Sequence, residues 1–250
     1  MMLKEERKQR ILDILSVEQK VIASDLSQLF NVSEDTVRRD LKELDTQGLL
    51  KRVHRGALRI GPPVTDFTYR QTVEKDAKSA IADKALPFLK EESVIIIDGS
   101  TTNLTLVEMI PQDFRATIIT NSPPIAVALS QHRNIEVINL GGIFYKRSMI
   151  NVGVETYQSL SKMRADLYIM GIYNIDIESG ISVPTMQEAE IKNRMIDVST
   201  EVLSMLTKDK FGTVSKHIVS SIENISYLIS DQITEQIRRD YSKEKVLLID

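Results

Sequence analysis

The sequence predicts an α/β chain in two unequal parts: a small helical unit closed by a short β-hairpin, then a larger unit built on a mostly parallel sheet. Three observations carry that expectation. The first fifty residues hold three helix-length apolar stripes; "LLKRVHRGALRI" (49–60) alternates apolar and polar residues around a turn; and from residue 74 onward amphipathic stretches alternate with short β-branched runs. At 250 residues the chain can bury one large core or a small and a medium one.

In the first unit, "EERKQRILDILS" sets Ile11, Ile14 and Leu15 on one face among charges, the spacing of a surface helix. "VIASDLSQLF" follows with Ile22, Leu26, Leu29 and Phe30 at helical intervals, and Asn31 breaks the run before Val32. The order is helix, turn, helix. Ser33 is the expected N-cap of the third stripe, and Glu34 and Asp35 suit the positive end of its dipole. Val37, Leu41 and Leu44 then face inward, which turns Thr36, Arg38, Arg39 and Lys42 largely outward. Gly48 stands where a C-cap glycine belongs, and the alternation after it predicts a hairpin with His54, Arg55 and Gly56 at its tip.

Gly61, Pro62 and Pro63 stop regular structure, so residues 1–58 are expected to form one domain, 59–73 a linker and 74–250 a second domain. In the latter, "SVIIID" (93–98), "ATIIT" (116–120), "IEVINL" (135–140), "ADLYIMG" (165–171), "EVLSML" (201–206) and "SYLIS" (226–230) read as strands. Segments 102–110, 122–131, 155–163 and 186–199 have the length of crossover helices. Ligands in such folds collect beyond the carboxyl ends of the strands.

Composition narrows the function classes. With 42% hydrophobic and 27% charged residues and no long apolar run, no membrane span is expected, and the charged start lacks a secretory core, which points to the cytoplasm. The absence of cysteine excludes disulfides and thiolate chemistry; His54, His132 and His217 are dispersed, so neither a metal nor a cofactor is implied. Net charge is −3, yet residues 38–59 hold seven basic side chains against three acidic ones. In a helix-turn-helix the second helix enters the major groove, so Ser33, Thr36, Arg38, Arg39 and Lys42 are candidate contacts to double-stranded DNA, with His54 and Arg55 at the hairpin tip. The competing reading is a solvated helix whose charges only keep it soluble.

In the second domain, "DGSTTN" (98–103) and "TNS" (120–122) join strands to helix starts, and "LGG" (140–142) permits close approach of backbone, with Lys146 and Arg147 nearby. That set suits a phosphorylated, polyhydroxylated small molecule.

Taken in this order, three helices and a wing, the first unit resembles the winged helix-turn-helix of the DeoR family of bacterial transcriptional regulators, through "VSEDTVRRDLKELDTQGLLKRVHRGA". Arg55 departs from the glycine the family usually carries there. The second unit resembles the same family's sensor domain, whose fold is that of ribose-5-phosphate isomerase, through "DGSTT", "TNS", "LGG", "ADLYIMG", "EAEIKNRMI" and "DKFG". The resemblance implies a sugar-phosphate effector held by Asp98, Gly99, Ser100, Thr101 and Thr102, with Asn121, Ser122 and Gly142 alongside and Lys192 and Lys210 as cationic partners. It implies a regulator, expected to repress a carbohydrate catabolic operon and to work as at least a dimer on two half-sites. Tyr173, Met186, Gln187 and Thr207 replace small polar or acidic residues of the family pattern, so the effector is expected to differ from the common ones or to bind weakly.

Two rivals remain open on the sequence. An isomerase-like enzyme would need a carboxylate base, for which Asp176, Glu188 and Glu190 are the available acids. Alternatively, the large domain serves only to oligomerise the DNA-binding unit.

Overall fold

The computed structural model describes residues 2–18, 20–61, 66–242 and 244–250. Its N-terminal part runs α1 (Lys4–Glu18), β1 (Lys20–Ile22), α2 (Ala23–Phe30), α3 (Glu34–Thr46), β2 (Lys51–Val53) and β3 (Gly56–Ile60). Ile11, Leu15, Leu26, Phe30, Val37, Leu41 and Leu44 share one core with Val21, Leu50 and Ala57, as the helical spacing requires. Ile22 and Leu29 correct the reading of the second stripe. Ile22 lies in β1 rather than in the helix, and both side chains are exposed. β1 exists because it pairs antiparallel with β3, so the wing is three-stranded, with β2 on the other side of β3. That pairing needs Gly56, since a Cβ there would lie 1.8 Å from the carbonyl oxygen of Val21.

Of the segment expected as a linker, Pro62 and Pro63 fall outside the described residues. The strand β3 reaches Ile60, and α4 (Phe67–Thr72) is a short helix capped by Asp66, whose Oδ1 accepts from the Tyr69 amide at 2.8 Å.

The large part then runs α5 (Lys75–Ala85), β4 (Val94–Ile97), α6 (Thr101–Met109), β5 (Ala116–Thr120), α7 (Pro123–Leu129), β6 (Ile135–Asn139), β7 (Ile143–Tyr145), β8 (Ile150–Val152) and α8 (Val154–Leu160). β9 (Ala165–Gly171), β10 (Asn174–Asp176), β11 (Gly180–Val183), α9 (Met186–Asp197) and β12 (Ser199–Leu206) follow. The chain closes with β13 (Thr213–Val214), β14 (His217–Ser220), β15 (Tyr227–Ser230), α10 (Glu235–Tyr241) and β16 (Leu247–Ile249). A seven-stranded parallel sheet has the order β16-β15-β12-β9-β4-β5-β6. Its strands are buried on both faces: Ile95, Ile97, Leu167 and Ile169 pack toward α5, α6 and α7, while Ile96, Tyr168 and Met170 pack toward α8 and α9.

The strand order reverses at β4. From β4 the chain winds outward through β5 and β6, then returns to place β9 on the other side of β4 and winds the opposite way. The crevice beyond the carboxyl ends of β4 and β9 is therefore the topological switch point, the place where such sheets bind ligands. The two parts of the chain also touch. β13 pairs in parallel with β3, Thr213 opposite Arg59 and Val214 opposite Ile60, and Lys20 meets Glu178 at 2.8 Å. Among the described residues no helix is long and apolar enough to cross a membrane.

Candidate functional site

The first candidate surface is built on α3. Ser33 caps it, its Oγ accepting from the Thr36 amide at 3.2 Å, and Thr36 is half-buried against that cap. Arg38, Arg39 and Lys42 are exposed, as the inward-facing Val37, Leu41 and Leu44 demand. Arg38 reaches Glu34 at 3.2 Å and Arg39 reaches Asp35 at 2.7 Å, each one turn back, so both guanidinium groups are held extended along the helix without being buried. Such exposed pairs are weak and exchange readily for a phosphate or a base edge. His54 and Arg55 are exposed at the wing tip. A cleft of about 370 Å³ between α3 and the wing is lined by Arg38, Arg52, His54 and Arg55, so helix and wing converge on one cationic surface. Arg39 and Lys42 lie on α3 outside this cleft. Arg52 escaped the sequence reading, although it lies in the strand of the basic run. The left-handed non-glycine residues among those described are Asn31, Glu74, Glu92 and Met149, so Arg55 sits in ordinary backbone and the missing glycine carries no strain.

Under α3 lies a pair that sequence reading also missed. Arg7 of α1 grips Asp40 through two hydrogen bonds, Nε to Oδ2 at 2.5 Å and Nη2 to Oδ1 at 3.2 Å, and both side chains are buried. The Asp40 carboxylate holds the Arg7 guanidinium above its ordinary range. Lys8 and Lys4 bind Glu43 one turn further along the helix. These contacts fix the angle at which α1 presents α3.

The second candidate site occupies the switch point. Asp98, one residue beyond β4, is buried, and its carboxylate accepts four hydrogen bonds: from the Tyr168 hydroxyl and the Lys192 ammonium at Oδ2, and from the Gly171 backbone amide at 2.9 Å and the Asn103 side-chain amide at 2.8 Å at Oδ1. Lys192 also donates to the Gly171 carbonyl at 2.8 Å. Asp98 thus stitches β4, β9, α6 and α9 together; burial beside this carboxylate pushes the Tyr168 hydroxyl far above its ordinary range. Asp98 and Lys192 are frame residues in this arrangement, and the surface they support is formed by Gly99, Ser100 and Thr101. Ser100 caps α6 by accepting from the Asn103 amide at 2.9 Å, which leaves the first amides of α6 directed at the crevice. Thr102 is buried in the same turn.

Ser122 lies beside Gly99, its Oγ donating to the Met149 carbonyl at 3.3 Å. Asn121 donates to the Asn151 carbonyl at 2.9 Å, and its Oδ1 is buried with no hydrogen-bond partner among the described residues. Gly142 is explained by packing, because a Cβ there would strike Thr156 Oγ1 at 2.3 Å. Lys210 pairs with Asp209 at 2.6 Å and lies within electrostatic reach of Lys78. Arg147 lies within electrostatic reach of Tyr173, and its carbonyl accepts from the Phe67 amide at 3.0 Å. Lys146 is exposed in the turn of the β7–β8 hairpin. Of the family departures, Tyr173 is half-buried near the crevice, Met186 and Gln187 are exposed at the start of α9, and buried Thr207 donates to Asp209 at 2.5 Å.

Two of the three acids available to an enzyme serve local structure. Asp176 is buried and accepts from the amides of Ser179 at 2.9 Å and Glu178 at 3.2 Å, which makes it a turn-forming residue. Glu188 accepts from the Thr185 hydroxyl at 2.8 Å, and Glu190 is exposed on α9.

A three-helix unit with a cationic wing, joined to a parallel sheet with a ligand crevice at its switch point, defines a DNA-binding regulator with a small-molecule sensor. Residues 7–62 match the model of the DeoR-like helix-turn-helix domain and residues 73–232 that of the DeoR C-terminal sensor domain. The chain belongs to the DeoR family of transcriptional regulators. It is 33% identical over 92% of its length to the uncharacterized HTH-type transcriptional regulator YulB of Bacillus subtilis, covering 90% of that protein. It is 29% identical, again over 92% of its length and 96% of the relative, to the L-fucose operon activator of Escherichia coli. These relatives are named as regulators, and this chain is a regulator rather than an enzyme. Ribose-5-phosphate isomerase A from Neisseria gonorrhoeae aligns with 54% of the chain and 53% of its own at a TM-score of 0.40 and 15% identity.

Proposed function

We propose that this regulator controls a carbohydrate operon as a cytoplasmic repressor, and that a phosphorylated sugar bound at the β4/β9 crevice releases it from its operator. In this reading residues 1–58 bind DNA, 59–73 link, and 74–250 sense the effector and oligomerise; two copies present their α3 helices to two half-sites. DNA contacts come from Arg38, Arg39 and Lys42 on α3, from Ser33 and Thr36 at its start, and from His54 and Arg55 on the wing. Effector contacts come from the Gly99–Thr101 turn, Ser122 and Lys210, with Asp98 and Lys192 holding that turn in place.

The observation that carries the reading is the crevice itself. It combines the first amides of α6 with small and hydroxyl-bearing residues at the switch point of the sheet, a set that suits an anionic polyol. For release, the effector must bind the DNA-free arrangement better than the DNA-bound one. The parallel β3–β13 pair supports a route, because β13 follows directly on the Lys208–Lys210 turn and zips to the wing strand. Footprinting on the DNA upstream of its own coding sequence, with and without hexose and pentose phosphates, tests the proposal. Protection that a sugar phosphate abolishes is the expected result; protection indifferent to all of them would leave a DNA-binding protein whose large domain only oligomerises. A sugar phosphate that creates protection would make the protein an activator.

A further inference from the structure

The crevice has one further cation on its rim, and it comes from the segment expected as a linker. We propose that Arg70, on α4, is a direct ligand of the effector's anionic group, so that the first helix after the wing strand is itself part of the sensing site. The proposal rests on the effector reading above and names the residue that would make it selective for phosphorylated ligands.

α4 is firmly seated. Phe67 is buried among α5 and α6 residues, the Phe67 amide donates to the Arg147 carbonyl at 3.0 Å, and Lys78 of α5 donates to the carbonyls of Arg70 and of Val73, the latter at 2.6 Å. The Arg70 side chain is less well provided for. Its guanidinium carbon stands 6.0 Å from the ring centroids of both Phe67 and Tyr173, its Nε is buried with no hydrogen-bond partner, and it makes no ion pair among the described residues. A guanidinium carries five donors in a planar fork, and desolvating it without an acceptor is costly. Burial depresses its proton affinity, although Tyr173, Glu188, Asp66 and Tyr145 partly restore it.

The neighbours explain which ligand fits. Arg70 and Lys210 each lie within electrostatic reach of Lys78, whose proton affinity is lowered first by burial, partly restored by Glu74, and lowered again by these two cations. Lys210 is met by Asp209 and Lys78 by two carbonyls, so Arg70 is the cation left to an incoming anion, and the fork of an arginine matches a phosphate in particular. The location is that of the crevice. Tyr173 lies two residues past Gly171, whose amide binds Asp98, and Glu188 precedes Lys192 by one turn of α9.

The test uses the full chain as wild type, Arg70→Ala and Arg70→Gln, with inorganic phosphate, a panel of hexose and pentose phosphates and the matched free sugars as probes. Melting temperature without ligand reports the fold, and calorimetric titration reports affinity. The expected result is an unliganded melting temperature no lower than wild type and affinity for phosphate and phosphate esters reduced roughly tenfold or more, with any free-sugar binding unchanged. Should Arg70→Ala fail to fold, Arg70→Gln, which keeps the stem between the two rings, carries the same expectation. Sugar-phosphate affinity within about twofold of wild type in a folded variant overturns the role of Arg70 while the effector reading stands. A wild-type chain indifferent to every phosphorylated probe overturns the effector reading, and this inference with it.

Discussion

Arg38 and Arg39 carry their charges on side chains 57% and 70% exposed, tied among the described residues only to groups on their own helix, whereas Lys192 of the sensor domain keeps its ammonium 10% exposed against a carboxylate that three other groups also bind. Arg7 and Asp40 show that the DNA-binding domain uses the buried kind as well, beneath the helix that bears the exposed kind. The difference separates two uses of one chemistry. A buried pair fixes relative positions of elements because removing either partner strands a charge in a poor solvent. An exposed pair holds little and can be exchanged for an incoming anion at small cost.

The largest expected effects come from breaking the buried pairs. Arg7→Ala leaves Asp40 without its partner and should lower stability by about 3 to 5 kcal/mol; Lys192→Met should cost about 3 kcal/mol, since Asp98 keeps other donors. Urea unfolding monitored separately for the two domains checks both, and a loss below about 1 kcal/mol would remove the distinction between frame and surface cations. Arg38→Ala or Arg39→Ala should do the reverse, weakening operator binding by about 1 to 3 kcal/mol while shifting stability by less than about 0.5 kcal/mol. Competitive binding on the footprinted operator measures the first quantity and thermal unfolding the second.

Ser33→Ala should cost about 1 kcal/mol through the lost cap of α3, with Ser33→Asp restoring it. The smallest effect is expected at the interdomain bridge. The Lys20 ammonium, through its hydrogen bond, holds the Glu178 carboxyl below the ordinary glutamate range. A depressed folded value means the contribution is present above the unfolded value and is lost as pH falls through the folded one. Glu178→Gln should therefore change stability by less than about 0.5 kcal/mol at neutral pH, and this difference should vanish on acidification below the carboxylate range. A difference that persisted in acid would show that the contact is not ionic.

Much of this arrangement was legible in the sequence. The strand runs and the crossover segments between β4 and α9 were readable because each carries its own periodicity, and the outward turn of Arg38 and Arg39 followed from Val37, Leu41 and Leu44. β1 was not legible. Its three residues are extended only because β3, far along the chain, offers a partner, and Ile22 alone imitates a helical position. The small β10-β11-β14 sheet and the β3–β13 pair were hidden for the same reason: short strands are defined by their neighbours. In the site, the glycine and hydroxyl residues after β4 announce a crevice, whereas the four donors that hold the Asp98 carboxylate come from α6, β9 and α9 and leave no local signal. Asp40 could have been caught, since it lies on the same face as Val37, Leu41 and Leu44 and a carboxylate there requires a buried cation; that the cation is Arg7 is a tertiary fact. Arg70 gave no local signal at all, because its meaning comes from Tyr173 and Lys78.

The division between surface and frame cations is tested most directly by the salt dependence of operator binding for wild type and the Arg38→Ala/Arg39→Ala double variant. The expected result is weaker binding, with the slope of log affinity against log salt reduced by about 1 for each arginine that meets a phosphate, or an unchanged slope with relaxed base preference where one reads a base. Wild-type affinity, slope and preference in a folded double variant would contradict the account and take α3 out of the DNA interface.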